Sequence, residues 1–386
     1  MKKILICLLC AVFGVSAFSG CMQKNLKNYY IYTNISSEQY TVLAQNYSVE
    51  QVIPADNGLS GGRAENTRGF TSKTNVYKGV MNTDAVLTVA ADFSDARITQ
   101  KFEEFSGKVA QTLSDIEDSL SVTKKSSYAH IFNCAEAGET VEVDETFYKV
   151  LSLAYGMYEL TDGYYNPAVY YSVQAYGFDK REQPEVLPGD EDIEKFAELS
   201  AQFENIEFSE NEGRYFIKKP EKTVEVSGVI YPLAVDLGGI GKGYATDIID
   251  GMFEDFGFKY GLFNFGNSSI ALKKHYSKGD YTLELIEPRR DSAVYLSFPV
   301  HGVCVSSSGD YENYYTVDGV RYCHIIDPTT GKPVQTGIMS ATVAGGSAAE
   351  NDAVTTAIMA MGKDRAINFI ENKLTDRYAV FTYDKD

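Results

Sequence analysis

The sequence predicts an α+β protein. Some stretches repeat apolar residues at helical spacing and others run as short strands. The two kinds mix along the chain without regular strand–helix alternation. Ala85 to Ala90 is a strand. Phe105, Val109, Leu113, Ile116 and Leu120 recur at intervals of four and three, one face of a helix. Asp144 is placed to cap a helix carrying Phe147, Val150, Leu151 and Ala154. Gln183 to Asp192, with two prolines and several acids, is an exposed loop, and Thr223 to Val235 alternates toward strand. Lys242 to Phe256 is a helix with Ala245, Ile248, Ile249, Met252 and Phe256 inward. Short strands follow at Tyr281–Ile286, Val294–Phe298, Val303–Ser306 and Met339–Ala344. A helix at Ala349–Met361 and a strand at Tyr378–Tyr383 complete the series.

The 386 residues suggest roughly two structural units at ~100–200 residues per domain. With 44% hydrophobic residues the chain can bury a large core, which excludes disordered and collagen-like classes. Its 53 acidic against 35 basic residues give a net charge of −18, a field that repels nucleic acid. A local site for a small anion remains compatible with that field. Cys134, Cys304 and Cys323 are too few for a disulfide scaffold, and whether Cys304 and Cys323 pair is open.

Residues 1–20 are expected to be a lipoprotein signal peptide. Lys2 and Lys3 precede an apolar run from Ile4 to Phe18, and Phe18-Ser19-Gly20-Cys21 resembles a bacterial lipobox. Cys21 would then carry lipid and hold the body on the extracytoplasmic face of the cell membrane. Residues 21–75 are polar and centred on Gly58-Leu59-Ser60-Gly61-Gly62, the composition of a weakly structured tether. The globular part is expected over residues 76–386.

Three segments carry chemistry. In Asp236-Leu237-Gly238-Gly239-Ile240-Gly241-Lys242-Gly243-Tyr244, glycines lead from a strand into a helix. Such a junction lets phosphate approach backbone N–H groups. The run is neither a P-loop nor a dinucleotide fingerprint. By itself it is a phosphate loop of unassigned kind or a tight strand–helix turn. In His324-Ile325-Ile326-Asp327-Pro328, a base and an orienting acid stand three apart, although a single His is more often structural. In Glu350-Asn351-Asp352-Ala353-Val354-Thr355-Thr356, Asp352 and Thr356 share a helix face. Carboxylate plus hydroxyl suits Mg²⁺; the alternative is an acid favouring the helix dipole. Thr161-Asp162-Gly163-Tyr164-Tyr165-Asn166-Pro167 adds aromatics that could stack a flat ring. Asn264-Phe265-Gly266-Asn267 and Ser306-Ser307-Ser308-Gly309-Asp310 add strand-end donors.

In this order the segments resemble the ApbE-type FAD:protein FMN transferase family, from about Tyr77 to the C-terminus. The resemblance implies the family's fold, mixed and antiparallel sheets packed with helices in two intertwined α+β subdomains. It implies Mg²⁺-dependent transfer of FMN from FAD to a Thr hydroxyl of extracytoplasmic or membrane redox proteins, releasing AMP. Metal ligands would be Asp352 and Thr356, with Thr355 beside them and the Gly241 carbonyl. Flavin-nucleotide contacts would be Met81, Tyr164, Tyr165, Asn166, Gly238, Tyr244 and Ile326. His324 would take the acceptor proton, Asp327 would orient it, and Lys242 would neutralise phosphate charge. The chain departs from the family pattern at Gly241 for Ala, Asn351 for Ala, Asn267 for Gly, Asn166 for Asp and Ser307 for Thr. Val122 or Thr123 stands where an aromatic wall is frequent. The alternatives are an FAD pyrophosphatase using the same site and a non-catalytic flavin-binding lipoprotein.

Overall fold

A computed structural model describes residues 29–43, 47–51, 65, 67–290 and 293–384. The signal segment, Cys21 and the Gly58–Gly62 run lie outside them. A nine-stranded sheet forms the frame, in the order Tyr47–Gln51, Tyr29–Thr33, Tyr378–Tyr383, Ile338–Ala344, Val303–Gly309, Ser269–Leu272, Gly261–Phe265, Thr83–Ala91 and Thr71–Val80. Every neighbouring pair is antiparallel except the first, which is parallel.

The helices are α1 (Ala96–Leu120), α2 (Tyr128–Cys134), α3 (Glu145–Leu160), α4 (Tyr170–Ala175), α5 (Asp190–Ser200), α6 (Gly238–Asp255), α7 (Ala348–Met361) and α8 (Lys363–Lys373). Strand Tyr378–Tyr383 is buried throughout, and its period of two explains how both faces of the sheet are covered. Ala379, Phe381 and Tyr383 join the core that includes residues of α1, α3, α6 and α7. Tyr378 and Val380 instead pack with Leu285, Leu296 and Phe298 of a second, smaller sheet. Helices therefore cover one face and a three-stranded sheet covers the other.

The expected tether is corrected in part. Residues 29–33 and 47–51 are strands of the main sheet, and Ile31, Tyr32, Thr33 and Ile35 are buried. Asn34 fixes them by donating to the Arg377 carbonyl at 2.9 Å and accepting the Ala379 N–H at 2.7 Å. The globular part also begins earlier than residue 76, since the strand into Met81 starts at Thr71.

The glycine run is corrected too. Gly238, Gly239 and Gly241 form the first turn of α6 rather than a loop before it. The segment entering α6 is not a sheet strand beyond the hairpin Val224–Val226 and Val229–Tyr231. Asn133 of α2 replaces a strand partner, bonding both the N–H and the carbonyl of Val235 at 2.8 Å. Asp236 N–H donates to the Pro167 carbonyl at 2.7 Å. Cys304 and Cys323 are both buried free thiols and do not pair.

Candidate active site

The site forms where α6 and α7 lie side by side on the sheet. Gly243 makes that approach possible: a Cβ there would collide with the Ala348 carbonyl and Ala349. Two acids tie the helices together. Asp247 of α6 accepts from Ser347 Oγ at 2.5 Å, Ala348 N–H at 2.6 Å and Ala349 N–H at 3.0 Å, satisfying donors that a helix start leaves open. Asp352 of α7 accepts one backbone N–H, from Gly243 at 3.2 Å. Its side chain is only 2% exposed, and burial pushes its carboxyl above the usual range.

Thr355 and Thr356 follow Asp352 by one turn of α7. Both hydroxyls donate to the Asp352 main-chain carbonyl, at 3.0 and 3.1 Å, which leaves the Thr356 oxygen free to accept. Ser308 reaches Thr355 at 2.8 Å. Gly241 is buried in the first turn of α6, two residues before the N–H that Asp352 holds. No group of three His, Cys, Asp or Glu side chains with metal-holding geometry occurs among the described residues. The donors here are one carboxylate, hydroxyls and carbonyls. That set fits Mg²⁺, which keeps several waters and takes phosphate oxygens. A cation would also offset the burial of Asp352.

Tyr165 and Thr356 close the floor beside α6. The Tyr165 ring edge and Thr356 Oγ1 both lie 3.4 Å from where a Gly239 Cβ would stand. Tyr165 is 3% exposed and its hydroxyl meets no partner. Burial, with Asp352 and Asp236 nearby, pushes that hydroxyl's pKa far up, so it remains a donor. Asp236 is likewise raised by burial and holds the Gly238 N–H at 2.8 Å.

His324 enters from the hairpin after Cys323. Its Nδ1 is buried without a partner. Burial first, then the Lys242 ammonium, lowers its pKa to about 4, so the ring is neutral at pH 7. Asp327 does not orient it, which corrects that expectation. Asp327 Oδ1 accepts from Thr329 N–H at 2.9 Å and Thr329 Oγ1 at 2.7 Å, capping its own turn. Lys242 Nζ donates to the Gly238 carbonyl at 3.2 Å.

The remaining expected residues divide. Met81 belongs to the site's edge, its sulfur 3.9 Å from a Gly241 Cβ position, in a left-handed turn (φ +45°). Tyr244 sits under the field of Lys149, Glu145 and Asp144 around the start of α3. Tyr164 carries the Arg365 guanidinium over its ring at 5.6 Å. Ile326 is buried with Tyr176, Phe178 and Phe196. Asn166 is spent within the protein: Oδ1 caps Ala168 N–H at 2.9 Å and Nδ2 donates to the Ser200 carbonyl at 3.0 Å. Its expected nucleotide contact is therefore not available from the side chain as it stands.

Two of the departures have local reasons. Asn351 donates to the Cys304 and Gly345 carbonyls and accepts from Arg377 at 3.0 Å, so it holds a buried network that Ala could not. Asn267 has φ +58° and pairs with Asn264 at 2.8 Å, a left-handed turn that Asn tolerates.

Two charged groups were missed by motif reading, Glu312 and Arg181. Arg181 acts on both His324 and Glu312, and Glu312 in turn feels Asp352 and Lys242. Glu312 stands two residues after the Ser-Gly-Asp run, and that position was its only signal. Arg181 belongs to no motif.

The ApbE family model matches residues 81–381. A FAD:protein FMN transferase of Vibrio cholerae is 29% identical over 266 residues, 68% of this chain and 75% of that protein. One from Escherichia coli K12 is 29% identical over 261 residues, 66% and 71% of the two. The crystal structure of an ApbE protein from Thermotoga maritima superposes with a TM-score of 0.67 at 26% identity, covering 81% of this chain and 94% of that one. A point mutant of the flavin transferase ApbE from Vibrio cholerae superposes with a TM-score of 0.66 at 24% identity, covering 82% and 94%, a likeness of fold. With the family match spanning most of the chain, this protein belongs to the ApbE family.

Proposed function

We propose that the chain is a Mg²⁺-dependent FAD:protein FMN transferase. It moves FMN from FAD to a Thr hydroxyl of extracytoplasmic redox proteins and releases AMP. One observation carries the reading beyond family membership. Asp352 is a buried carboxylate held by one backbone N–H and the Ser268 hydroxyl, on the helix turn that also carries Thr355 and Thr356 and beside a glycine-rich helix start.

In the reaction the acceptor oxygen forms a bond to the FMN phosphorus. The bond from that phosphorus to the AMP-side bridging oxygen breaks, and AMP leaves as a phosphate monoester. The hydroxyl proton passes to a nitrogen of His324, whose ring is neutral and whose buried Nδ1 has no partner in the protein. Asp352, Thr356, Thr355 and the Gly241 carbonyl would hold Mg²⁺, which supplies charge neutralisation on the phosphate oxygens. The positive end of the α6 dipole and the Lys242 ammonium point the same way in charge. Met81, Tyr164, Tyr165, Gly238, Tyr244 and Ile326 are proposed to line the nucleotide, Tyr165 through its hydroxyl.

Lipidation at Cys21 on the extracytoplasmic face of the membrane is part of the same proposal. Because residues 29–33 are built into the sheet, the stretch from Cys21 to Tyr29 spans at most about 28 Å. That would hold the body close to the membrane rather than on a long leash.

The test incubates the protein with FAD and Mg²⁺, with and without an FMN-acceptor domain, and reads nucleotides and acceptor mass. FMN on an acceptor Thr together with AMP is the expected result. AMP with free FMN only, whatever the acceptor, would replace transfer by pyrophosphate hydrolysis. Bound FAD with no AMP would leave a flavin-binding protein.

A further inference from the structure

Arg181 lies between α4 and α5, in a loop that no chemical motif marks. The loop is pinned at its base. Glu182 N–H donates to the Gly177 carbonyl at 3.1 Å, and Asn313 Nδ2 donates to the Phe178 carbonyl at 3.4 Å. At its tip Arg181 adopts φ +54°, a left-handed conformation uncommon for a side-chain-bearing residue. From there its guanidinium crosses to the turn between strands Thr71–Val80 and Thr83–Ala91 and donates to the Asn82 carbonyl at 3.3 Å. Met81 and Asn82 are left-handed as well, at φ +45° and +63°. Two strained turns therefore face each other across the edge of the site, and Arg181 spans them.

The charge environment is the second observation. Arg181 and Lys242 act on the same two groups, His324 and Glu312. The cation from the loop and the cation from α6 thus converge on one place. Among the described residues no carboxylate stands within ion-pair distance of Arg181, although the chain carries 53 acids. A guanidinium has five N–H donors, and this one uses a single donor on a backbone carbonyl. Its planar fork matches a phosphate oxygen pair.

We propose that Arg181 is a phosphate-binding residue of this site, meeting the dinucleotide's diphosphate opposite Lys242 and holding the departing nucleoside monophosphate. This rests on reading the site as one for a dinucleotide diphosphate. During transfer the bridging P–O bond breaks and its electron pair stays on the AMP oxygen. A second cation at that end receives the charge as it appears.

The experiment is calorimetric titration of the full chain with ADP, and with adenosine as a phosphate-free control, at several NaCl concentrations. The proteins are wild type, Arg181→Ala and Arg181→Lys. ADP binding is expected to weaken about tenfold or more in Arg181→Ala, with a shallower salt dependence and unchanged adenosine binding. Arg181→Lys should recover part of the loss. In turnover, Arg181→Ala should lower kcat as well as raise the KM for FAD. Equal ADP affinity in wild type and Arg181→Ala overturns the assignment, as does an equal loss for adenosine. Wild-type protein that binds neither ADP nor FAD overturns the diphosphate reading itself, and the Arg181 assignment with it.

Discussion

The seam between α6 and α7 contains two aspartates whose carboxyls are both raised by burial. At one end Asp247 accepts three hydrogen bonds from the start of α7. A turn further along, Asp352 accepts one backbone N–H, from Gly243, and bonds the Ser268 hydroxyl. The first is a fully partnered structural acid. The second is held by fewer partners, one backbone N–H and the Ser268 hydroxyl with the Lys242 charge near it, and its carboxyl is still raised by burial, which a cation would offset. The same contrast separates Asn166 and Asn351, which are saturated, from Tyr165 and His324, which carry orphaned polar atoms.

The comparison can be broken or sharpened in four ways, in descending size of effect. Replacing His324 by Ala should cost about 10²–10⁴ in FMN transfer while FAD still binds, measured by single-turnover AMP release. Unchanged turnover would remove it as the base. Asp247→Ala strips three donors at a helix start and should destabilise by about 2–3 kcal/mol in denaturant melts, with the residual folded protein still transferring FMN. A large catalytic loss at full stability would instead make Asp247 a site residue. Gly243→Ala should cost about 1–3 kcal/mol by pushing α6 off α7, and transfer should fall with it.

The fourth is a pH effect with a definite sign. His324 has a lowered folded pKa of about 4 against an unfolded value near 6.5. The unfolded chain binds the extra proton between those values. Its contribution to stability is therefore present above about pH 6.5 and is lost as pH falls toward 4. In a His324→Gln variant, the difference in melting temperature between pH 7 and pH 4.5 should shrink. A difference as large as in wild type would mean that other groups govern that window.

Much of the frame was legible in the sequence, for reasons visible in single residues. Asp144 caps α3 by accepting Phe147 N–H at 2.8 Å, as its position before a periodic run implied. Strands Tyr281–Ile286 and Tyr378–Tyr383 stand where the apolar runs placed them. Residues 29–51 did not reveal themselves because their partners are remote: Tyr30 pairs with Tyr383, and a local polar composition cannot show that. Asp327 was adjacent to His324 in sequence, but its oxygen found nearer donors in its own turn. Arg181 is brought near His324, and Glu312 near Asp352 and Lys242, only by the folded loops, so spacing along the chain carried no trace of them.

The most direct test of the contrast between the two acids is thermal unfolding and FMN transfer of Asp352→Asn, measured on one preparation. Asn keeps an acceptor for the Gly243 N–H and removes the buried charge. The account predicts a melting temperature equal to or above wild type and no detectable transfer at saturating FAD and Mg²⁺. Transfer at the wild-type rate, or a variant that unfolds at lower temperature while keeping its activity, would contradict it.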